Sequence, residues 1–187
     1  MPAIEIVAHS SPKYAPRTFV NAKSADLTIA LAVDYTTAGE KLTKKAAGDA
    51  FLALPLDMSP LEAARLLWRR LNTAGFSADR PAVVNVAGNG IYTLARHGWT
   101  QDRANRHLFE IFAYLVPHIP LTRVVSGGQT GIDLAGAVAA HALGVDTKMT
   151  LPAGFLQRAE DGVDAPQSPD MLRIDVQHQA RALADAA

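Results

Sequence analysis

Short apolar runs alternate with longer segments of helical period along almost the entire chain. The apolar runs are continuous, without an alternation of apolar and polar positions, which is typical of strands in a parallel sheet covered on both faces. Alternating strands and helices indicate right-handed crossovers between neighbouring strands. The predicted strands are Ile4–Ala8, Leu27–Val33, Phe51–Leu56, Ala82–Ala87, Arg123–Val125 and Thr147–Leu151.

The segments between the predicted strands have the spacing of helices, and one of them has clear boundaries. Ser59 can cap its first turn, Pro60 suits the first helical position, and Gly75 can end it. The segment Pro152–Pro169 is rich in proline and poor in apolar residues, so we expect a long surface loop there. The predicted helices are Thr37–Ala47, Pro60–Ala74, Gln101–Leu115, Thr130–Leu143 and Asp175–Ala187.

Together these elements predict one α/β domain over residues 1–187, a Rossmann-like open and mainly parallel sheet with helices on both faces. The composition agrees with a globular domain, because 49% of the residues are hydrophobic and only 19% are charged. The chain has no cysteine, which excludes disulfides, thiolate metal sites and thiol nucleophiles. Its six histidines form no pair with metal-binding spacing, so we expect no metal site.

The charge is balanced, with 18 basic and 18 acidic residues. A general nucleic-acid binder needs a local surplus of Lys and Arg, so the balance argues against that class. The first residues lack the basic and apolar regions of a signal peptide, and no window approaches about 18 consecutive apolar residues. We therefore expect a cytoplasmic protein without a membrane partner.

The most informative segment is the glycine-rich turn Ser126–Gly131, which follows a predicted buried strand and precedes a helix. Parallel sheets bind ligands at the carboxyl ends of their strands, where glycines let backbone amides approach an anion. The turn has neither the Walker nor the dinucleotide-binding spacing. We expect phosphate on the amides of Gly127, Gly128 and Gln129. The alternative is a tight turn in which Thr130 and Asp133 only cap the next helix.

Two more turns follow predicted strands, and the one after Ala82–Ala87 can face the glycine-rich turn across a crevice. One contains Gly88–Gly90 and the other contains Thr37, although each can also be a simple turn or a helix cap. Arg158 lies on the predicted loop. It can close over an anion, or it can belong to a charged segment of the loop that only contacts solvent. The predicted ligand-binding residues are Ser126, Gly127, Gly128, Gln129, Thr130, Gly131, Gly88, Asn89, Gly90, Thr37 and Arg158.

Several segments resemble the molybdenum-carrier family, which belongs with the LOG phosphoribohydrolases and the DNA-processing protein DprA in the SLOG superfamily. The order differs, because the Ser-Gly-Gly-Gln-Thr-Gly segment opens the chain in that family and comes third here, as in a circular permutation. The third turn also carries Ala38-Gly39 where the family has paired glycines. The matching segments are Arg17–Asn21, Ser24–Ile29, Thr37–Thr43, Asn85–Gly88, Val125–Asp133 and, after Pro152, Arg158–Gly162.

The resemblance implies a Rossmann-like fold whose glycine turns bind a nucleotide or another small phosphorylated ligand, as a sensor or carrier. No other cofactor is predicted, and the sequence leaves open whether the protein forms a homo-oligomer. A second hypothesis is a LOG-like hydrolase of the N-glycosidic bond of nucleoside 5′-monophosphates, with Glu40 or Asp133 as the catalytic carboxyl group. A third is a DprA-like partner in DNA processing or assembly, against which the zero net charge argues.

Overall fold

A computed structural model describes residues 1–186 of the chain. Its centre is one sheet of six strands, all parallel, in the order β1-β6-β5-β4-β2-β3. The fold is therefore α/β with a Rossmann-like open sheet, as the sequence predicted. The strands are β1 (Ile4–Ala8), β2 (Leu27–Ala32), β3 (Phe51–Pro55), β4 (Ala82–Gly88), β5 (Leu121–Ser126) and β6 (Asp146–Leu151).

Seven α-helices occur in residues 1–186, and two layers cover the sheet. Helices α1 and α2 pack on each other, whereas α3, α5, α6 and α7 form a separate row of contacts. This division is the one that right-handed crossovers require, because the chain moves in opposite directions along the sheet after β2 and after β4. The helices are α1 (Tyr14–Lys23), α2 (Ala38–Ala47), α3 (Pro60–Thr73), α4 (Ile91–Ala95), α5 (Gln101–Leu115), α6 (Ile132–Ala142) and α7 (Pro169–Asp185).

The structure corrects the predicted elements at four points. Helices α1 and α4 were not predicted. Helix α7 begins at Pro169 instead of Asp175, and the predicted last residue, Ala187, lies outside the described part. The predicted loop over Pro152–Pro169 contains a short antiparallel hairpin of β7 (Leu156–Arg158) and β8 (Asp164–Pro166). The hairpin has few apolar residues of its own, so the hydrophobic pattern does not reveal it.

The hydrophobic core lies on the α3, α5 and α6 side of the sheet. Ile29, Leu31 and Val86 of the strands are fully buried there against helices of that layer. Helix α6 comes close to β4, and a Cβ at Gly136 would lie 2.6 Å from the Val86 side chain. Of the helices in residues 1–186, none has the length and apolar character needed to cross a membrane.

The order of the strands creates a crevice. Strands β2 and β4 are neighbours, but the chain leaves β2 toward one edge of the sheet and leaves β4 toward the other. Their connections therefore diverge at the carboxyl edge, which is the place where open parallel sheets bind ligands.

Candidate functional site

A cavity of about 540 Å³ lies at this divergence, at the carboxyl ends of β2, β4 and β5. Helices α1 and α2 form one wall, and the turns that follow β4 and β5 form the other. The volume is in the usual range for small-molecule sites. Of the residues predicted from the sequence, Gly88, Gly90, Gly127, Gln129, Thr130, Arg158, Glu40 and Asp133 line the cavity.

Five residues predicted to bind ligand do not line the cavity, and at least two of them bond within the turns. Asn89 accepts from the amides of Val33 and Asp34 at 2.9 and 3.1 Å, so it joins the turn after β4 to the turn after β2. Thr37 caps α2, because its hydroxyl accepts from the amide of Glu40 at 3.2 Å. The five residues are Ser126, Gly128, Gly131, Asn89 and Thr37.

The amides of the glycine-rich turn are bonded to groups of the protein itself. Gly128 donates to the hydroxyl of Ser126 at 3.2 Å, and Gly131 donates to the side-chain oxygen of Gln101 at 2.6 Å. Asp133 near this turn is a buried carboxylate whose pKa is raised by burial, and the backbone of Gln129 and Gly88 acts in the opposite direction. One of the three proposed phosphate donors, Gly128, therefore already serves an internal acceptor, and the phosphate position stays a prediction.

The buried carboxylate belongs to an ion pair that crosses the fold. Arg17 Nη1 of α1 lies 3.3 Å from Asp133 Oδ2 of α6, and both side chains are only 9% exposed. Burial raises the pKa of Asp133, and the guanidinium acts in the opposite direction. A side chain at Gly127 would collide with this pair, because its Cβ would lie 1.4 Å from Arg17 Nη1. Asp133 is thus a partner of Arg17 and not a helix cap.

A second carboxyl group lines the same cavity. Glu40 is 4% exposed, and its Oε1 accepts a hydrogen bond from Asn89 Nδ2 at 3.2 Å. Burial raises the pKa of Glu40 to about 8, and the nearby charge of Asp133 adds to the shift. At neutral pH the Glu40 carboxyl group is therefore mostly protonated and can donate a hydrogen bond.

Four residues that line the cavity carry a buried polar atom without a hydrogen-bond partner. These atoms are Arg17 Nε, Asn21 Oδ1, Asn85 Oδ1 and Glu40 Oε2. The side-chain nitrogens of Asn21 and Asn85 fix the orientation of these two amide groups. Asn21 Nδ2 donates to the Ser126 carbonyl at 2.9 Å, and Asn85 Nδ2 donates to a threonine hydroxyl. Buried polar groups are nearly always paired, so these four atoms are exceptions, and all four belong to residues that line one cavity.

The mouth of the cavity carries positive charge. Lys13 is exposed there, and Arg158 of the hairpin makes two hydrogen bonds to Asp164, at 2.9 and 3.1 Å. The hydroxyl of Tyr14 also donates to Asp164 at 2.7 Å. Arg158 is therefore held at the rim by a carboxylate of its own hairpin, with its side chain 48% exposed.

The hairpin is attached to the glycine-rich turn by side chains. Gln129 donates from Nε2 to the Leu156 carbonyl at 2.7 Å and accepts from the Arg158 amide at 2.9 Å. Gln157 donates to the Gly128 carbonyl at 2.8 Å, and the hydroxyl of Thr130 donates to the Arg158 carbonyl. These bonds hold the hairpin over one side of the cavity.

Sequence reasoning missed Arg17, Asn21 and Asn85 as cavity residues. Arg17 and Asn21 are four positions apart on α1, so they lie on one face of the helix and both point inward. Asn85 is a polar residue within an otherwise apolar strand, where a buried polar side chain requires a partner. The spacing of Arg17 and Asn21 and the position of Asn85 were the available signals.

Residues 1–186 contain no group of three or more acidic or histidine side chains arranged to hold a metal ion. No protein-family model matches the chain, and no curated protein matches it. The resemblance to the molybdenum-carrier family therefore stays a prediction.

Proposed function

We propose that the protein binds a nucleotide, or another small molecule that carries a phosphate, in the cavity beyond β2, β4 and β5. The observation that carries this proposal is the set of four unpaired, buried polar atoms around a cavity of about 540 Å³. An unpaired buried group costs about 1–3 kcal/mol, which a ligand with matching groups recovers on binding.

The floor of the cavity suits hydroxyl groups. The side chains of Asn21 and Asn85 offer acceptors, the guanidinium of Arg17 offers a donor, and the carboxyl group of Glu40 can donate when it is protonated. A hydroxyl donates one hydrogen bond and accepts others, so it can pair with every member of this set. A sugar or another polyol presents several such groups close together.

We place the phosphate at the mouth, away from the floor. The Asp133 carboxylate lies inside, and a negative charge there disfavours a second anion in a buried site. Lys13 and Arg158 line the mouth and carry positive charge. The guanidinium of Arg158 suits a phosphate as well as it suits Asp164, so the two anions would compete for it.

Titration of the protein with AMP, ADP-ribose, ribose 5-phosphate and adenosine tests this proposal, with the melting temperature as the readout. A ligand present at 100 times its dissociation constant adds about 2.7 kcal/mol to the stability. We expect AMP to bind more tightly than adenosine, and Arg158→Gln to remove most of that difference. Arg173→Gln is the matched control, because Arg173 also pairs with an aspartate at the surface but lies on α7. No shift with any of the four compounds would contradict the proposal.

A second candidate function is hydrolysis of an N-glycosidic bond, and the protonated carboxyl group of Glu40 favours it. With a pKa of about 8, Glu40 can give a proton to a departing base at neutral pH. The negative charge of Asp133 can then stabilise the cationic sugar that forms as the bond breaks. Water adds to this sugar and gives a proton back to the Glu40 carboxylate, which completes the hydrolysis.

Release of free adenine from AMP distinguishes the hydrolase from a binding protein. We expect a hydrolase to lose this activity in Glu40→Gln and in Asp133→Asn while AMP still shifts the melting temperature. Tight binding of AMP without adenine release, in the unmodified protein, assigns the cavity to binding alone.

A further inference from the structure

The carboxylate of Asp164 connects helix α1 with the β7–β8 hairpin at the mouth of the cavity. It accepts a hydrogen bond from the Tyr14 hydroxyl of α1 at 2.7 Å. It also accepts from Nε and Nη2 of Arg158 of β7, at 2.9 and 3.1 Å. Tyr14 and Arg158 line the cavity, so two donor side chains from separate elements converge on one carboxylate at its edge.

Both donors and the acceptor have the charge states that this arrangement needs. The hydrogen bond from Arg158 holds the pKa of Asp164 below its usual value, so the carboxylate is ionised at neutral pH. Burial raises the pKa of Tyr14 to about 12, so its hydroxyl keeps the proton that it donates. The guanidinium groups of Arg17 and Arg158 lie 5.3 and 5.4 Å from the centre of the Tyr14 ring. Tyr14 and Arg158 therefore form a site for an anionic group, which a carboxylate of the same chain occupies.

This carboxylate can leave while the hairpin stays in place. The side chains of Asp164 and Arg158 are 30% and 48% exposed, and ion pairs of such exposure contribute little to stability. The backbone of β7 is held separately, because Gln129 bonds to the carbonyl of Leu156 and to the amide of Arg158. An external anion can thus replace Asp164 by movement of side chains alone.

A phosphate monoester is a stronger competitor for these donors than a carboxylate. It carries about 1.5 to 2 negative charges at neutral pH and offers three acceptor oxygens, whereas Asp164 carries one charge and offers two oxygens. Lys13 adds a positive charge at the same mouth. Within residues 1–186, the ion pairs join Arg158 to Asp164 and to neither Glu160 nor Asp161 at the hairpin tip. The exchange therefore favours a ligand in proportion to its negative charge.

We propose that the Tyr14 hydroxyl and the Arg158 guanidinium form the phosphate subsite of the cavity, and that Asp164 occupies this subsite in the free protein as an internal competitor. The inference rests on the function proposed above and assigns its phosphate contacts. The bound phosphate accepts the hydrogen bonds of Tyr14 and Arg158, and the Asp164 carboxylate turns to solvent. Asp164 is a positioning residue, because it acts on the ligand through these two donors.

Calorimetric titration of the unmodified protein and of Asp164→Asn tests the competition with three ligands of similar shape. Adenosine is neutral, adenosine 5′-sulfate carries one negative charge, and AMP carries about two at pH 7.5. We expect the variant to bind AMP about tenfold and the sulfate about threefold more tightly, with adenosine unchanged, because the lost repulsion is proportional to the charge of the ligand. Equal shifts for all three, or weaker binding of AMP, would overturn the competition.

A matched control and a second variant guard against a change of structure. Asp170→Asn removes the same charge from a carboxylate that also pairs with an arginine at the surface, but on α7, so the three affinities should stay unchanged. Asp164→Ala removes the charge without the amide of asparagine and should give the same order of gains. A different order in the two Asp164 variants would contradict an effect of charge.

Tyr14→Phe, introduced into Asp164→Asn, tests the hydroxyl of the subsite. The double variant lacks a hydrogen bond to an ionised group, so we expect AMP to bind about tenfold more weakly than to Asp164→Asn, with adenosine unchanged. Tyr114→Phe in the same background is the matched control, because Tyr114 is exposed on α5 and does not line the cavity. An unchanged affinity for AMP in the double variant would remove Tyr14 from the subsite.

The outcomes separate this inference from the proposed function. If AMP binds equally to the unmodified protein and to Asp164→Asn, the nucleotide function stands and the inference is wrong. If AMP binds only to Asp164→Asn, the internal competitor is supported. If none of the three ligands binds either protein, both the proposed function and the inference are overturned.

Discussion

Gly127 is required by its neighbours across the fold. A Cβ at this position would lie 2.2 Å from Asp133 Oδ2 and closer still to the guanidinium of Arg17. The glycine therefore makes room for a buried ion pair, and the pair in turn fixes α1 against the start of α6.

Gly127→Ala is expected to destabilise the protein by about 3 kcal/mol or more, because it forces apart a buried pair whose disruption is costly. Gly90→Ala is the control, since the nearest atom to its Cβ would be the Thr130 carbonyl oxygen at an ordinary 3.6 Å. We expect that control to change the stability by less than about 1 kcal/mol. Urea unfolding measures both, and equal effects at the two glycines would refute this explanation.

Glu40 makes the stability depend on pH. Its pKa is raised from 4.5 to about 8 by folding, so between these values the folded state holds a proton that the unfolded state has lost. The contribution of Glu40 is therefore fully present below pH 4.5 and is lost as the pH rises toward 8.

Glu40→Gln is expected to flatten the decline in unfolding free energy between pH 5 and pH 8, by up to about 1.4 kcal/mol for each pH unit. The glutamine stays neutral and its oxygen can still accept from Asn89. Urea unfolding at several pH values gives the slope. Glu160→Gln, at an exposed position, should retain the decline of the unmodified protein. An unchanged slope in Glu40→Gln would show that Glu40 does not hold the proton.

The β7–β8 hairpin depends on its attachment to the glycine-rich turn. The strands have three residues each, and half of those positions are exposed. Such a short ribbon is not stable alone in water. The side chain of Gln129, which bonds to two backbone groups of β7, supplies part of the missing support.

Gln129→Ala is expected to speed amide hydrogen exchange of residues 156–166 on the order of tenfold, because two hydrogen bonds of about 1 kcal/mol each are lost. Exchange in β4 and β5 should stay as it is, since these strands are paired within the sheet. Gln167→Ala, beyond the hairpin, provides the comparison. Equal exchange in both variants would mean that the hairpin is held by other contacts.

Helix α1 shows why the hydrophobic pattern alone was insufficient. Its buried residues are Arg17, Asn21 and Ala22, and two of the three are polar. An amphipathic pattern identifies a helix by its apolar face, so a helix that turns polar side chains inward gives no such signal. By contrast α3, with Ser59, Pro60 and Glu62 forming a capping box, began where the sequence predicted.

The first and the last element of the described chain are neighbours. Strand β1 is an edge strand, and α7 packs against it. The segment between α5 and β5 is exposed at Pro117 and His118. A chain can be joined at neighbouring termini and cut in an exposed loop without loss of its fold.

A permuted protein that begins at His118, with a flexible linker joining the original ends, is therefore expected to unfold in one cooperative transition and to retain the ligand response of the original. In this order the Ser-Gly-Gly-Gln-Thr-Gly segment opens the chain, as in the family that the sequence resembles. Thermal unfolding followed by circular dichroism is the measurement. A cut between Val84 and Asn85, within β4, is the control and should abolish the transition.

Local interactions in the sequence determined the class of the fold. Continuous apolar runs require burial on both faces, and glycine-rich turns follow β4 and β5 because the chain must turn sharply where each strand ends. These features depend on residues a few positions apart, so a reading of the chain was sufficient to predict most strands to within a residue or two.

Only the tertiary structure decided the character of the site. The pairing of β2 with β4, the contact of Arg17 with Asp133 across 116 positions, and the burial that raises the pKa of Glu40 all depend on residues far apart in the chain. Electrostatic and hydrogen-bond energies follow distance in space and loss of water, and neither is determined by separation in sequence. The sequence therefore predicted the glycine-rich turns, but it did not predict the polar floor of the cavity that they surround.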